Sequence, residues 1–164
     1  MNTIDPHRSV PGLEEAAAEK VVAVLEDRLV GTIDLQLVLK HIHWNVLGPN
    51  FIAVHEMLDE HVEAVRDMTD AIAERIATLG GTPNGNSGEV VRRRSWNDYQ
   101  LGRADATEHL VALDRVYEGM IIDNRKAIEA TADLDPLTED LLIGQTRTLE
   151  MYQWFVRSFY ERAA

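Results

Sequence analysis

The chain has 164 residues and no cysteine, with 28 acidic side chains against 16 Lys and Arg and a formal net charge of −12 at pH 7. That length fits one domain with a core of its own, and the composition excludes disulfides, thiolate metal sites and cysteine nucleophiles. The charge opposes nucleic acid and anionic membrane surfaces, so a role on either would need a local basic patch. Met1 to Gly12 reads MNTIDPHRSVPG, without the apolar run of a signal peptide, and no window approaches the ~18 apolar residues of a membrane span. The expectation is a cytoplasmic protein, with residues 1–12 a flexible arm and residues 13–164 the folded domain.

Helical periodicity is predicted first from about Leu13 to Val46, ending before Gly48-Pro49, which cannot continue a helix. A second helix follows Asn50, a suitable N-cap, and runs from Phe51 to Leu79 before Gly80-Gly81 and Pro83. The stretch TPNGNSGEVVRRRS from Thr82 to Ser95 reads as loop and holds the one dense basic cluster, Arg92 to Arg94. Ser95-Trp96-Asn97-Asp98 has the form of a capping box and predicts a short helix there. A third long helix spans about Ala104 to Ala132, with Leu110, Leu113, Val116, Tyr117, Met120, Ile121 and Ile128 at core spacings. Asp135-Pro136 opens the fourth, which runs to about Arg162 and buries Leu141, Leu142, Leu149, Tyr152, Phe155 and Phe159. Trp44 and Trp154 are placed with the core aromatics. Together these predict an all-α, ferritin-like four-helix bundle with a short extra helix in the crossover between helices 2 and 3.

The chemistry concentrates between His41 and Glu74. On the second helix His55 and Asp59 are four apart, as are Asp70 and Glu74, so each pair shares a face. At 100° per residue the four fall at about 0°, 40°, 60° and 100°, a single stripe. Asp59 and Asp70 nevertheless stand ~16 Å apart along the axis, whereas metal bonds are ~2 Å. Both pairings centre on one point between Ala64 and Val65. Two copies of the helix packed antiparallel about a two-fold axis there would bring Asp59 to the partner's Asp70, and His55 to the partner's Glu74, giving two equivalent metal sites across a dimer. Glu63 and Arg66 share that centre and could pair across it. His43, near the end of the first helix, completes a mixed imidazole and carboxylate set that suits iron(II), zinc or manganese. His41, His61 and His109 lack such partners. His55-Glu56-Met57-Leu58-Asp59 is one residue from a zinc-protease helix, but Asp59 replaces the second His and Glu56 is rotated away. A metal-dependent hydrolase on the same ligands is one alternative, since a bound divalent ion can activate water.

His43-Trp44-Asn45, Gly48-Pro49-Asn50-Phe51-Ile52, Val54-His55-Glu56-Met57-Leu58-Asp59 and Asp70-x-x-x-Glu74-Arg75, with the later Asp140-Leu141-Leu142 and Trp154-Phe155, closely resemble the signature of the Dps family, the mini-ferritins known as DNA-binding proteins from starved cells. The resemblance implies a hollow homo-dodecamer built from two-fold dimers. It implies ferroxidase centres holding one or two iron ions, with His43, His55 and Asp59 from one subunit and Asp70 and Glu74 from its mate. It further implies oxidation of iron(II), preferably by hydrogen peroxide, storage of ferric mineral and protection against oxidative stress. Acidic three-fold pores for iron entry would fall on Asp135, Glu139 and Asp140. The family's DNA-compacting role is the other alternative. Family members that bind DNA use Lys-rich tails, which this sequence lacks, and twelve copies multiply an acidic field, so weak or absent DNA binding is expected.

Overall fold

The computed structural model describes residues 10–161; most of the expected N-terminal arm and the last three residues lie outside that range. Helix α1 spans Glu15–Asn45, α2 Phe51–Thr78, α3 Ser87–Arg93, α4 Ala106–Thr131 and α5 Pro136–Tyr160. The four long helices form the expected bundle from two antiparallel pairs, α1 with α2 and α4 with α5, and the long connection carrying α3 crosses between them. Two short strands, β1 at Val46–Leu47 and β2 at Ala104–Asp105, pair in parallel and close that crossover at its base.

The four long helices end where the turn chemistry places them, to within two residues. α2 closes in a Schellman motif, Gly80 donating to the Ala77 carbonyl and Gly81 to that of Ile76. Gly80 takes a φ of 85° there, and a Cβ on Gly81 would stand 3.0 Å from Val22 and Ile76 side-chain carbons. The N-cap of α4 is Asp105, whose carboxylate accepts from the Thr107 amide.

The short helix is the main correction. It occupies Ser87–Arg93, inside the stretch read as loop, and Ser95 to Asp98 is irregular. The Asp98 carboxylate that would close the capping box instead accepts from Arg94, and Trp96 within the same stretch donates from Nε1 to Asp34 at 2.6 Å. The basic cluster is neutralised at the same place. Arg92 pairs with Glu89, Arg93 with Glu26 and Asp27, and Arg94 with Asp34 and Asp98. These contacts explain why α1 carries buried polar residues on a side that should face water: the crossover lies over it.

The core divides into two apolar clusters along the bundle axis. One gathers Leu39, Ile42, Val54, Leu58, Leu110, Leu113, Tyr117 and Leu149 near the α1–α2 turn; the other gathers Val21, Leu25, Ile72, Ile76 and Leu142 at the far end. Three aromatic placements differ from the expectation. Trp44 is 71% exposed, Trp154 63% and Phe159 41%, because each sits on a helix side that no other described element covers. Tyr117 and Tyr152 are buried as expected.

Candidate metal centre

His43 lies in the last turn of α1 and His55 in the second turn of α2, and the short β1 segment with the Gly48 turn folds one helix back on the other. Gly48 has a φ of 98° and faces Asp105, whose carboxylate leaves no room for a Cβ. The two imidazoles stack with centroids 3.5 Å apart and planes 22° from parallel. Each ring is held by the other residue's backbone: His43 Nδ1 is 3.0 Å from the His55 carbonyl, and His55 Nδ1 is 2.9 Å from the His43 carbonyl. A carbonyl accepts only, so each Nδ1 carries the proton and donates. Both Nε2 lone pairs are thereby left for an electrophile, since a hydrogen bond from the opposite ring nitrogen to a carbonyl is what orients metal-binding histidines.

Asp59, one turn beyond His55, completes the cluster. Ligand atoms of His43, His55 and Asp59 all lie within 4.8 Å of one another, and among the described residues these form the one such group of three or more. His43 is buried and Asp59 exposed, so the group opens outward from the α1–α2 pair. A residue not anticipated from the sequence sits beside it: Lys40 Nζ donates to Asp59 Oδ1 at 3.0 Å and lies 5.9 Å from the centre of the Trp44 ring. That hydrogen bond, with the charge of Lys40 and the nearby histidines, holds the Asp59 carboxyl below the usual range. The signal was present, since Lys40 is three residues before His43 and shares its helix face.

Asp70 and Glu74 lie further along α2 and are exposed. Within one chain they do not reach the cluster, as the axial separation requires. Glu63 and Arg66 pair with each other along the helix at 3.1 Å.

The ferritin-like domain family matches residues 22–164, and the chain is 50% identical over 155 residues to a DNA protection during starvation protein of Mycolicibacterium smegmatis, covering 94% of this chain and 85% of that relative. The chain belongs to the Dps family. Among solved structures, DpsA14 from Streptomyces coelicolor is similar at a TM-score of 0.95 and 55% identity, with 98% of this chain and 96% of that one covered. Dps from Microbacterium arborescens in a high iron form is similar at 0.82 and 26% identity, covering 97% and 98% of the two chains.

The acidic residues expected around a Dps pore differ in their surroundings. Asp135 is 5% exposed. Its Oδ2 accepts from Arg75 at 2.6 Å and from Thr138 at 2.5 Å, while Arg75 Nε also donates to Thr138 at 3.0 Å. Burial works to raise its pKa, and the hydrogen bonds from Thr138 and Arg75 with the Arg75 charge outweigh that and lower it. Asp135 thus ties the end of α2 to the start of α5. Glu139 is half-buried and Asp140 exposed.

Proposed function

We propose that this Dps-family chain is a ferroxidase and iron store of the cytoplasm, oxidising iron(II) preferably with hydrogen peroxide and keeping the ferric product inside a hollow dodecamer. The observation that carries the reading is the convergence of His43, His55 and Asp59 with both Nδ1 atoms already committed. Two neutral imidazoles and one carboxylate bind iron(II) and, with the partner's Asp70 and Glu74, add enough negative charge to favour the ferric product. Two iron(II) ions supply the two electrons that take one peroxide to two hydroxides, so no hydroxyl radical is released. The similarity to a Dps structure in a high iron form supports iron as the substrate. Glu139 and Asp140, less committed than Asp135, supply the negative field of the entry pore.

Stopped-flow absorbance of iron(II) oxidation tests this, with peroxide and with oxygen as oxidant. Wild type is expected to react faster with peroxide, His43→Ala to lose that reaction, and Glu139→Gln with Asp140→Asn to slow iron entry at unchanged metal affinity. Equal traces for wild type and His43→Ala would remove the reading. DNA binding is expected to be weak or absent near neutral pH, because each arginine of the one dense basic cluster is paired with a carboxylate. A gel shift at low salt that retains DNA near stoichiometrically would overturn that expectation.

A further inference from the structure

Between α2 and α3 the chain reads Thr82-Pro83-Asn84-Gly85-Asn86, and two hydrogen bonds converge there on one atom. The side-chain carbonyl oxygen Oδ1 of Asn84 accepts from the Asn86 backbone N–H at 3.3 Å and from Asn86 Nδ2 at 2.9 Å. A backbone N–H can only donate, so the Asn84 atom facing it is the carbonyl oxygen and not the amine. Asn86 is the N-cap of α3, yet its side chain caps no helix amide. It is spent on Asn84 instead.

The residue after Asn84 is the one type with no Cβ to crowd an approach to that carbonyl. The Gly85 backbone N–H makes no backbone hydrogen bond among the described residues, so it can turn toward the Asn84 side chain without breaking one. Attack of Gly85 N on Asn84 Cγ closes a small ring within two residues, and covalent tethering replaces the encounter such a reaction would otherwise need. As the nitrogen adds, negative charge develops on Oδ1, where both Asn86 donors already point.

We propose that Asn84 is a self-modification site that converts through a succinimide to aspartate and isoaspartate, with the Asn86 donors stabilising the oxyanion. In the first step the bond from Gly85 N to Asn84 Cγ forms and the Cγ–Nδ2 bond breaks. The proton shed by Gly85 N is balanced by the one taken up by Nδ2, which leaves as ammonia. Water then adds across one of the two ring C–N bonds that flank the imide nitrogen. Opening at Cγ gives aspartate on an unchanged backbone, while opening at the Asn84 backbone carbonyl gives isoaspartate, with the chain rerouted through an extra methylene. No electrons are transferred and water is the one co-reactant. Pro83 and Gly85 border the groove that also holds Asp67 and Asp70. The new charge and the lengthened backbone therefore arise beside the acidic stripe of α2, in a fraction that grows with the age of the protein.

Ageing of the folded full chain, as purified, tests the site. The protein is incubated in mildly alkaline buffer and digested at mildly acidic pH, and the peptide between Arg75 and Arg92 is scored by mass spectrometry for an acid in place of the amide at Asn84. Wild type is expected to convert there. Gly85→Ala is expected to stay unconverted over the same period. Gly85 has no left-handed φ, and an added Cβ would stand 3.4 Å from Ile33, an ordinary contact, so the fold accommodates it. Folded Asn86→Ala should convert roughly 2–10-fold more slowly than wild type, the worth of one hydrogen bond. In denaturant those two chains should convert alike, because the donors are no longer held in place. Asn84 left intact in the folded protein after the denatured chain has converted overturns the site. Equal folded rates for wild type and Asn86→Ala overturn the role of Asn86.

Discussion

Copies carrying Asp59→Ala and copies carrying both Asp70→Ala and Glu74→Ala, each inactive alone, should regain about a quarter of the wild-type rate of iron oxidation when co-assembled in equal amounts. The arithmetic follows from a site shared across a two-fold axis. In a mixed dimer one site collects both lesions, while the other keeps intact histidines and Asp59 from one copy and intact Asp70 and Glu74 from the other. Random pairing makes half the dimers mixed, and half the sites in those are whole. Each parent variant should fall by more than the roughly 10–100-fold that loss of a mere orienting partner costs a metal site. The assay is stopped-flow oxidation of the co-expressed protein. Recovery no greater than the sum of the parents would show that the two clusters on α2 do not meet between subunits. Full activity in the Asp70 and Glu74 variant would place the site wholly within one chain.

Acid should unfold the wild-type chain earlier than a His61→Gln variant, with His61 costing about 3 kcal/mol between neutral pH and pH 4. Burial pushes the His61 pKa down to about 4 from its ordinary 6.5. The sign follows from linkage. The folded state resists protonation while the unfolded state accepts it, so the full contribution is present above pH 6.5 and lost as the pH falls toward 4. The rings packed on it, Tyr117, Tyr152 and Phe155, carry no charge to offset the new one. Denaturant unfolding at pH 7 and pH 4 measures the difference. Parallel losses in wild type and variant would show that His61 titrates normally in the fold.

The bundle was legible because its signals are local: apolar positions at helical spacing, with Gly80-Gly81, Gly48-Pro49 and Asp135-Pro136 as stops and starts. The short helix was misplaced for a non-local reason. Ser95 and Asp98 have the spacing of a capping box, but Arg94 takes the Asp98 carboxylate and Trp96 between them is drawn to Asp34, which lies some sixty residues earlier in the chain. Trp44, Trp154 and Phe159 were assigned to the core on hydrophobicity, yet a single chain leaves each uncovered. At the candidate metal centre, the helical spacing of His55 and Asp59 and the position of His43 sufficed to bring out the three residues that the fold places together. The reciprocal hydrogen bonds that fix both rings could not be read, because they depend on how closely α1 and α2 approach. The buried Tyr117–His61 pair was equally hidden, since its members are far apart in sequence and meet only across α2 and α4.

The ammonium of Lys40 resting on Asp59 gives that carboxylate a resident counter-ion. Asp59 is the one carboxylate of the cluster, and a tethered charge already satisfies it beside the histidines. Binding of a metal ion there would be a cation exchange. An ion that binds Asp59 must outcompete a side chain that is always present at high local concentration, so occupancy would rise and fall with supply.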